Sequence, residues 1–283
     1  MIKLILTSAL VIFSVQANAE TVSGVTIDSV AGAAATADAL AYHSVKPTAR
    51  IVFDEFVPAS QYTTLLSKIG HHSFVMGELL DSYYMNQYTQ QQFANRVDEY
   101  LNTLGAKVNI WEIGNEINGE WLGKTADTVA KMYTAYSKVK ARNGKTALTL
   151  YYNPNCWAKK EHEMFTWAAA NVPTEMKQNL DYVWISYYED DCEGYRPTQA
   201  QWQQVFNKLG QMFPNSKIGF GEIGTTKVAQ KSDMINRYYR MKINHPRFVG
   251  GYFWWYYKKD AVPRTQKSLW KVLDDAFVAQ PKS

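Results

Sequence analysis

Two short stretches hold carboxylates where they could act together. In WEIGNEINGEW, Asn115 and Glu116 follow the apolar run 108–113, and in IGFGEIG, Glu222 follows a second apolar run at 218–220. A carboxylate set against apolar sequence is costly to bury unless it is paired or binds something. Two of them at one site can divide acid–base labour: one gives a proton to a leaving oxygen, while the other attacks carbon or activates water. These glutamates lie far apart in the chain, so the chemistry needs a scaffold that brings them together.

The scaffold is legible in the alternation of elements. Short apolar, β-branched or aromatic runs recur at residues 25–27, 51–53, 74–76, 108–113, 148–152, 182–188, 218–220 and 252–257. They read as strands buried on both faces, the pattern of a parallel sheet. Between them lie helical patterns. Thr89 and Gln92 form a capping box ahead of an apolar face of Phe93, Val97, Tyr100, Leu101 and Leu104, with Gly105 at the stop. Thr198 and Gln201 repeat the device ahead of Trp202, Val205, Phe206 and Leu209, closed by Gly210. A helix is predicted over 125–142, and the segments 35–43, 60–69, 161–170, 233–243 and 267–277 are long enough for others. Eight strands alternating with eight helices predict a single-domain (β/α)8 TIM barrel over residues 20–283. An open doubly wound sheet is the weaker alternative, since no Gly-rich phosphate loop follows an early strand. In such a barrel, functional groups collect at the C-terminal ends of the strands. The run 108–113 is the fourth strand and the run ending at Gly221 the seventh, so Glu116 and Glu222 meet at one mouth.

At this point the sequence resembles the clan A superfamily of retaining glycoside hydrolases, (β/α)8 barrels that include cellulase-like and endo-galactanase-like members. WEIGNEING matches the Asn–Glu motif that ends strand four in that superfamily, and GFGEIG is similar to the glutamate motif that ends strand seven. The resemblance implies Glu116 as acid/base, Asn115 as the partner of the sugar 2-hydroxyl, and Glu222 as nucleophile. It also implies that Arg50 in ARIVF pairs with the nucleophile, that a tyrosine of WISYYED donates to it, and that Trp255 in GGYFWWYYK lies under the sugar ring. Ser186 stands where relatives carry a His two before that tyrosine, so Tyr187 and Tyr188 both remain candidates. FVMGELLDS lacks the strand-three His of cellulase-like members and leaves Glu78 and Asp81 as substitutes. The function so implied is a retaining β-glycoside hydrolase acting on a polysaccharide or oligosaccharide. A glycan-binding barrel without turnover and a transglycosylase are the alternatives.

Neighbouring residues complete the expectation. Glu112, inside the strand, and Glu120, beyond it, read as structural or rim groups. Trp254 and Trp255 are adjacent and must point to opposite sides, with Trp255 toward the mouth. Asn153, Trp157, Trp121 and Tyr152 sit on loops after strands and could line sugar subsites. Cys156 and Cys192 fall on the loops after strands five and six, at the same mouth, where a disulfide is expected. No cofactor and no metal is expected: His71 and His72 precede a strand, opposite the site, and no other His and carboxylate cluster has ligand spacing.

The ends and the composition bound the rest. Lys3, an apolar stretch over 4–15 and the small residues Ala17, Asn18 and Ala19 read as a signal peptide over 1–19. The chain is therefore expected to be secreted or periplasmic, with no membrane span in the mature form. A net charge of +4 argues for neither nucleic acid nor membrane partners. Aromatics make up 14% of residues, which suits sugar stacking as well as core packing. A monomer is expected.

Overall fold

A computed structural model describes residues 21–281, so the predicted signal peptide lies outside the described residues. Strands β1 (Val22–Ile27), β2 (Thr48–Val52), β3 (Phe74–Glu78), β4 (Ile110–Gly114), β5 (Thr146–Tyr151), β6 (Tyr182–Tyr187), β7 (Lys217–Ile223) and β8 (Phe248–Trp254) close into a barrel in chain order. Neighbouring strands are parallel throughout. The predicted (β/α)8 TIM barrel is thus the observed fold.

Strand alternation sorts the side chains into two apolar regions. Outward residues such as Ile51, Phe53, Ile113, Ile185 and Phe220 pack under the helices. Inward residues fill the barrel toward the N-terminal ends of the strands: Val22, Met76, Ile110, Ala147, Tyr182, Trp184, Val249 and Phe253. Each large side chain fully buried in this way contributes roughly 1.5–3 kcal/mol. The lower barrel is a packed plug, and the polar groups gather above it.

The main helices are α1 (Ala33–Ala41), α2 (Thr63–Ile69), α3 (Gln90–Leu104), α4 (Thr125–Lys140), α5 (Met164–Asn171), α6 (Thr174–Asn179), α7 (Gln199–Met212), α8 (Lys231–Tyr239), α9 (Tyr257–Ala261) and α10 (Ser268–Val278). Both predicted capping boxes form, Thr89 with Gln92 and Thr198 with Gln201. The short helices α6 and α9 were not expected. The last strand differs most from its expectation, because β8 begins well before residue 252 and ends before 257. It runs through Gly250 and Gly251, whose φ values of 88° and 90° suit glycine. A Cβ on Gly251 would lie 2.1 Å from the Phe220 carbonyl oxygen, so glycine here permits a close strand contact.

Cys156 and Cys192 are joined as expected, with Cα atoms 5.3 Å apart. The bond ties the loop after β5 to the loop after β6. No helix among the described residues is long and apolar enough to cross a membrane.

Candidate active site

Two irregularities in the backbone aim the two glutamates. In β7 the register moves from Ile185 opposite Phe220 to Ser186 opposite Glu222, leaving Gly221 as the extra residue of a bulge. Strict alternation would send Glu222 outward beneath the helices; the bulge turns it into the barrel, where it is 4% exposed. Gly221 makes this possible, since a Cβ there would lie 2.7 Å from Cβ of Trp184. The second irregularity follows β4. Glu116 has a φ of 42°, in the left-handed region that non-glycine residues rarely enter. Its neighbours hold it there, with Gly119 N donating to the Glu116 carbonyl at 2.7 Å and Ile117 N to Thr149 O at 3.1 Å.

The Glu222 carboxylate is surrounded by donors. Asn115 Nδ2 donates to Oε1 at 2.9 Å and the Tyr188 hydroxyl donates to Oε2 at 2.7 Å. Arg50 Nη1 stands 2.7 Å from Oε1 as an ion pair, off the direction of a hydrogen bond. Burial pushes Glu222 above the usual carboxylate range, while Arg50 and Tyr188 pull it back down. Burial, with the charges of Glu222 and Glu116, also holds Tyr188 well above the ordinary phenol range, so it remains a neutral donor.

Among the described residues, Glu116 has no cation in hydrogen-bond reach. Ser186 Oγ donates to its Oε1 at 2.5 Å and Ser82 Oγ to its Oε2 at 3.4 Å. Burial and the charge of Glu222 push it well above the usual range, and the Ser186 hydroxyl offsets only part of that rise. Ser82 is itself fixed on both sides: its N–H donates to Asn115 Oδ1 at 3.1 Å and its Oγ accepts from Trp121 Nε1 at 3.0 Å. The Ser82 contact leaves the Asn115 amide turned with its NH2 toward Glu222.

Beneath the glutamates lies Arg50, mid-strand in β2 and fully buried. Its Nε donates to Glu112 Oε2 at 2.5 Å and its Nη2 to Glu112 Oε1 at 3.0 Å, a two-bonded pairing. Thr149 Oγ1 adds a 2.5 Å bond to Glu112 Oε1. Nη2 also lies 3.1 Å from Glu78 Oε2. Burial opposes the charge on Arg50, but the carboxylates of Glu112, Glu222 and Glu78 outweigh it and raise its pKa well above the ordinary value.

Most of the expected residues converge on this mouth: Glu116, Glu222, Asn115, Arg50, Tyr188 and Trp255. Trp255 is half-buried with the Arg50 guanidinium 5.8 Å from its ring centroid, whereas Trp254 faces outward and donates from Nε1 to Asp260 Oδ2 at 3.0 Å. Tyr187 and Asn153 are not brought into this cluster. Alternation turns Tyr187 away from the barrel interior, where its hydroxyl donates to Tyr195 O at 2.5 Å and its ring packs on Trp202. Asn153 is buried and spent on its own loop, donating to His162 O at 3.0 Å and accepting from Met164 N at 3.0 Å. Trp157 is half-buried on that loop beside Cys156.

Glu120 accepts from Ala158 N and Lys159 N, a rim contact as expected. His71 and His72 are exposed ahead of β3. Glu112 is structural, but it sits at the centre of the site rather than on its rim. The serines that grip Glu116 were missed. The one available signal was Ser186, a small hydroxyl at the position where the resemblance led to a His.

No family model matches the chain, and no curated protein matches it by sequence. By structure it is similar to Saccharomyces cerevisiae Gas2p. The complex of Gas2p with laminaritriose and laminaritetraose matches with a TM-score of 0.60 at 13% identity, over 93% of this chain and 65% of that one. A complex with laminaripentaose matches with a TM-score of 0.59 at 14% identity, over 93% and 66%. The apostructure of a glutamate-to-glutamine mutant gives 0.59 at 12%, over 93% and 62%. The chain thus spans about two thirds of the length of the Gas2p chains it matches, and at these identities the likeness is one of fold.

Proposed function

We propose that the chain is a secreted retaining β-glycoside hydrolase of the clan A type, cleaving a polysaccharide by double displacement. The observation that carries this reading is the unequal setting of two convergent glutamates. Glu222 is held by a guanidinium, an amide and a phenol, while Glu116 is bonded by the hydroxyls of Ser186 and Ser82 and feels the charge of Glu222. Environments that differ in this way support the acid role for Glu116 and the nucleophile role for Glu222.

In the first step Glu222 attacks the anomeric carbon, forming a glycosyl ester, and the proton of Glu116 passes to the departing oxygen. In the second, the now ionised Glu116 takes a proton from water, whose oxygen attacks the same carbon and releases Glu222 as carboxylate. We read Asn115, which bonds Glu222 and Ser82, as the partner of the sugar 2-hydroxyl, and Trp255 offers a ring face beside Arg50. Trp121, partly exposed and tied through Ser82 to Glu116, supplies a second ring on the acid side.

The laminari-oligosaccharides bound by Gas2p make that series the first substrate to try, followed by other β-linked glucans, galactans and mannans. The leader at 1–19 and the disulfide are consistent with an oxidising, extracytoplasmic location, and we read residues 20–283 as the mature monomer. The test is the configuration of the first product by proton NMR. A β-anomer before mutarotation is expected; an α-anomer would overturn retention, and binding without product would make the chain a glycan-binding barrel. Products longer than the substrate would assign it to transfer.

A further inference from the structure

One buried acid is not used by this mechanism. Glu78, the last residue of β3, is fully buried, and neither of its carboxyl oxygens receives a directed hydrogen bond among the described residues. Its one ion pair among the described residues is with Arg50 Nη2 at 3.1 Å, and that nitrogen already donates to Glu112. The groups that face Glu78 are Arg50 from β2, Glu112 from β4, Glu222 from β7 and Asp81 from the loop after β3. A single guanidinium therefore meets three carboxyl groups. Glu112 takes the two-bonded pairing and the Thr149 hydroxyl, the bonding of a carboxylate, and Glu222 takes Nη1.

An ionised Glu78 would be a third anion on one cation, buried and without donors, an arrangement costing several kcal/mol per ion. A neutral carboxyl avoids most of that cost. We propose that Glu78 is a positioning residue held as a neutral carboxylic acid, filling the third side of Arg50 without drawing the guanidinium away from Glu222. Burial is the main cause that raises its pKa well above the usual range; Arg50 opposes the rise, and Glu112, Asp81 and Glu222 add to it.

The proposal rests on the two-glutamate reading for its catalytic consequence, but its central statement is testable without substrate. Infrared spectra of protein carrying 13C-labelled glutamate, in the Glu116→Gln background, should show a protonated glutamate band that persists above the pH at which Glu222 has ionised. Glu78→Gln should abolish that band. Absence of the band in the parent protein overturns the proposal whatever the enzyme's activity, and needs no Glu78 variant to fold.

Stability gives a second readout. With a folded pKa above the unfolded value of about 4.3, the folded state binds more protons, so stability falls as pH rises from there. The Tm of Glu78→Gln relative to wild type should therefore climb with pH above about 4.3. A difference that does not grow with pH counts against a neutral Glu78.

In kinetics, Glu78→Ala should lower kcat/KM more than roughly tenfold, and Glu78→Gln, the neutral isostere, should restore most of it. The acidic limb of the pH profile should stay in place in Glu78→Gln, because no charge is removed. A limb displaced to lower pH, as loss of a negative neighbour of Glu222 would produce, or a Gln variant as poor as the Ala one, would overturn the assignment.

Discussion

Glu222 and Glu116 are the same residue type at the same mouth, yet the barrel treats them in opposite ways. Glu222 sits within a strand, turned inward by one extra glycine and held by two hydrogen-bond donors and a guanidinium. Glu116 sits just past a strand end on a left-handed backbone, gripped by two serine hydroxyls. The first setting supports a fixed carboxylate and the second a protonated acid. The difference lies less in the residues than in what the backbone lets each one touch.

The largest effect should come from deleting each carboxylate in turn. Glu222→Gly should lose more activity than the ~10²–10⁴-fold associated with a general acid. Added azide should then restore turnover of an activated β-aryl glycoside as the α-glycosyl azide, entering from the face that Glu222 vacated. Glu116→Gly with azide should instead give the β-azide, formed after Glu222 has been glycosylated. Product NMR that showed one configuration from both variants would erase the distinction between the two glutamates.

Next in size is Glu116→Gln. On substrates with poor leaving groups it should cost about 10²–10⁴ in kcat/KM, and much less on activated aryl glycosides that need no proton. Equal losses on both would remove the acid role from Glu116.

Two hydroxyl deletions should sharpen the comparison by moving opposite limbs of the pH profile. Tyr188→Phe removes a donor to ionised Glu222, a charge-assisted bond worth about 1.5–3 kcal/mol, so activity should fall roughly 10- to 100-fold. Losing that donor also raises the Glu222 pKa, and the acidic limb of kcat/KM should move to higher pH. Ser186→Ala, the smallest change, removes the hydroxyl that favours ionised Glu116, so the alkaline limb should move to higher pH. Either substitution moving the other limb would show that the two environments are not separate.

Legibility in the sequence followed the range of the interactions. The alternation of elements and the capping boxes are local signals, and they led to the barrel. Glu116 and Glu222 were found because each stands at a strand end beside an apolar run. What escaped depended on register. Glu112 pairs with Arg50 only because both point inward on strands that are not neighbours, and nothing in WEIG marks that. Tyr187 and Tyr188 were inseparable until the end of β6 fixed which one faces the mouth. Asn153 read as a subsite residue because it lies on a loop after a strand, but its amide is consumed by His162 and Met164. The bulge at Gly221 breaks the very alternation from which inward and outward are read, and it falls next to Glu222.

The left-handed backbone at Glu116 sets the cost of keeping that position as it is. The conformation suits glycine, so the fold's own preference and the acid role proposed for Glu116 pull in different directions at one residue. A lineage released from selection for turnover would meet a stabilising exchange at this position, whereas Glu222, clamped from three sides, offers no such gain. Barrels of this build should therefore lose Glu116 before Glu222, and a descendant that keeps the clamp but not Glu116 would record that history.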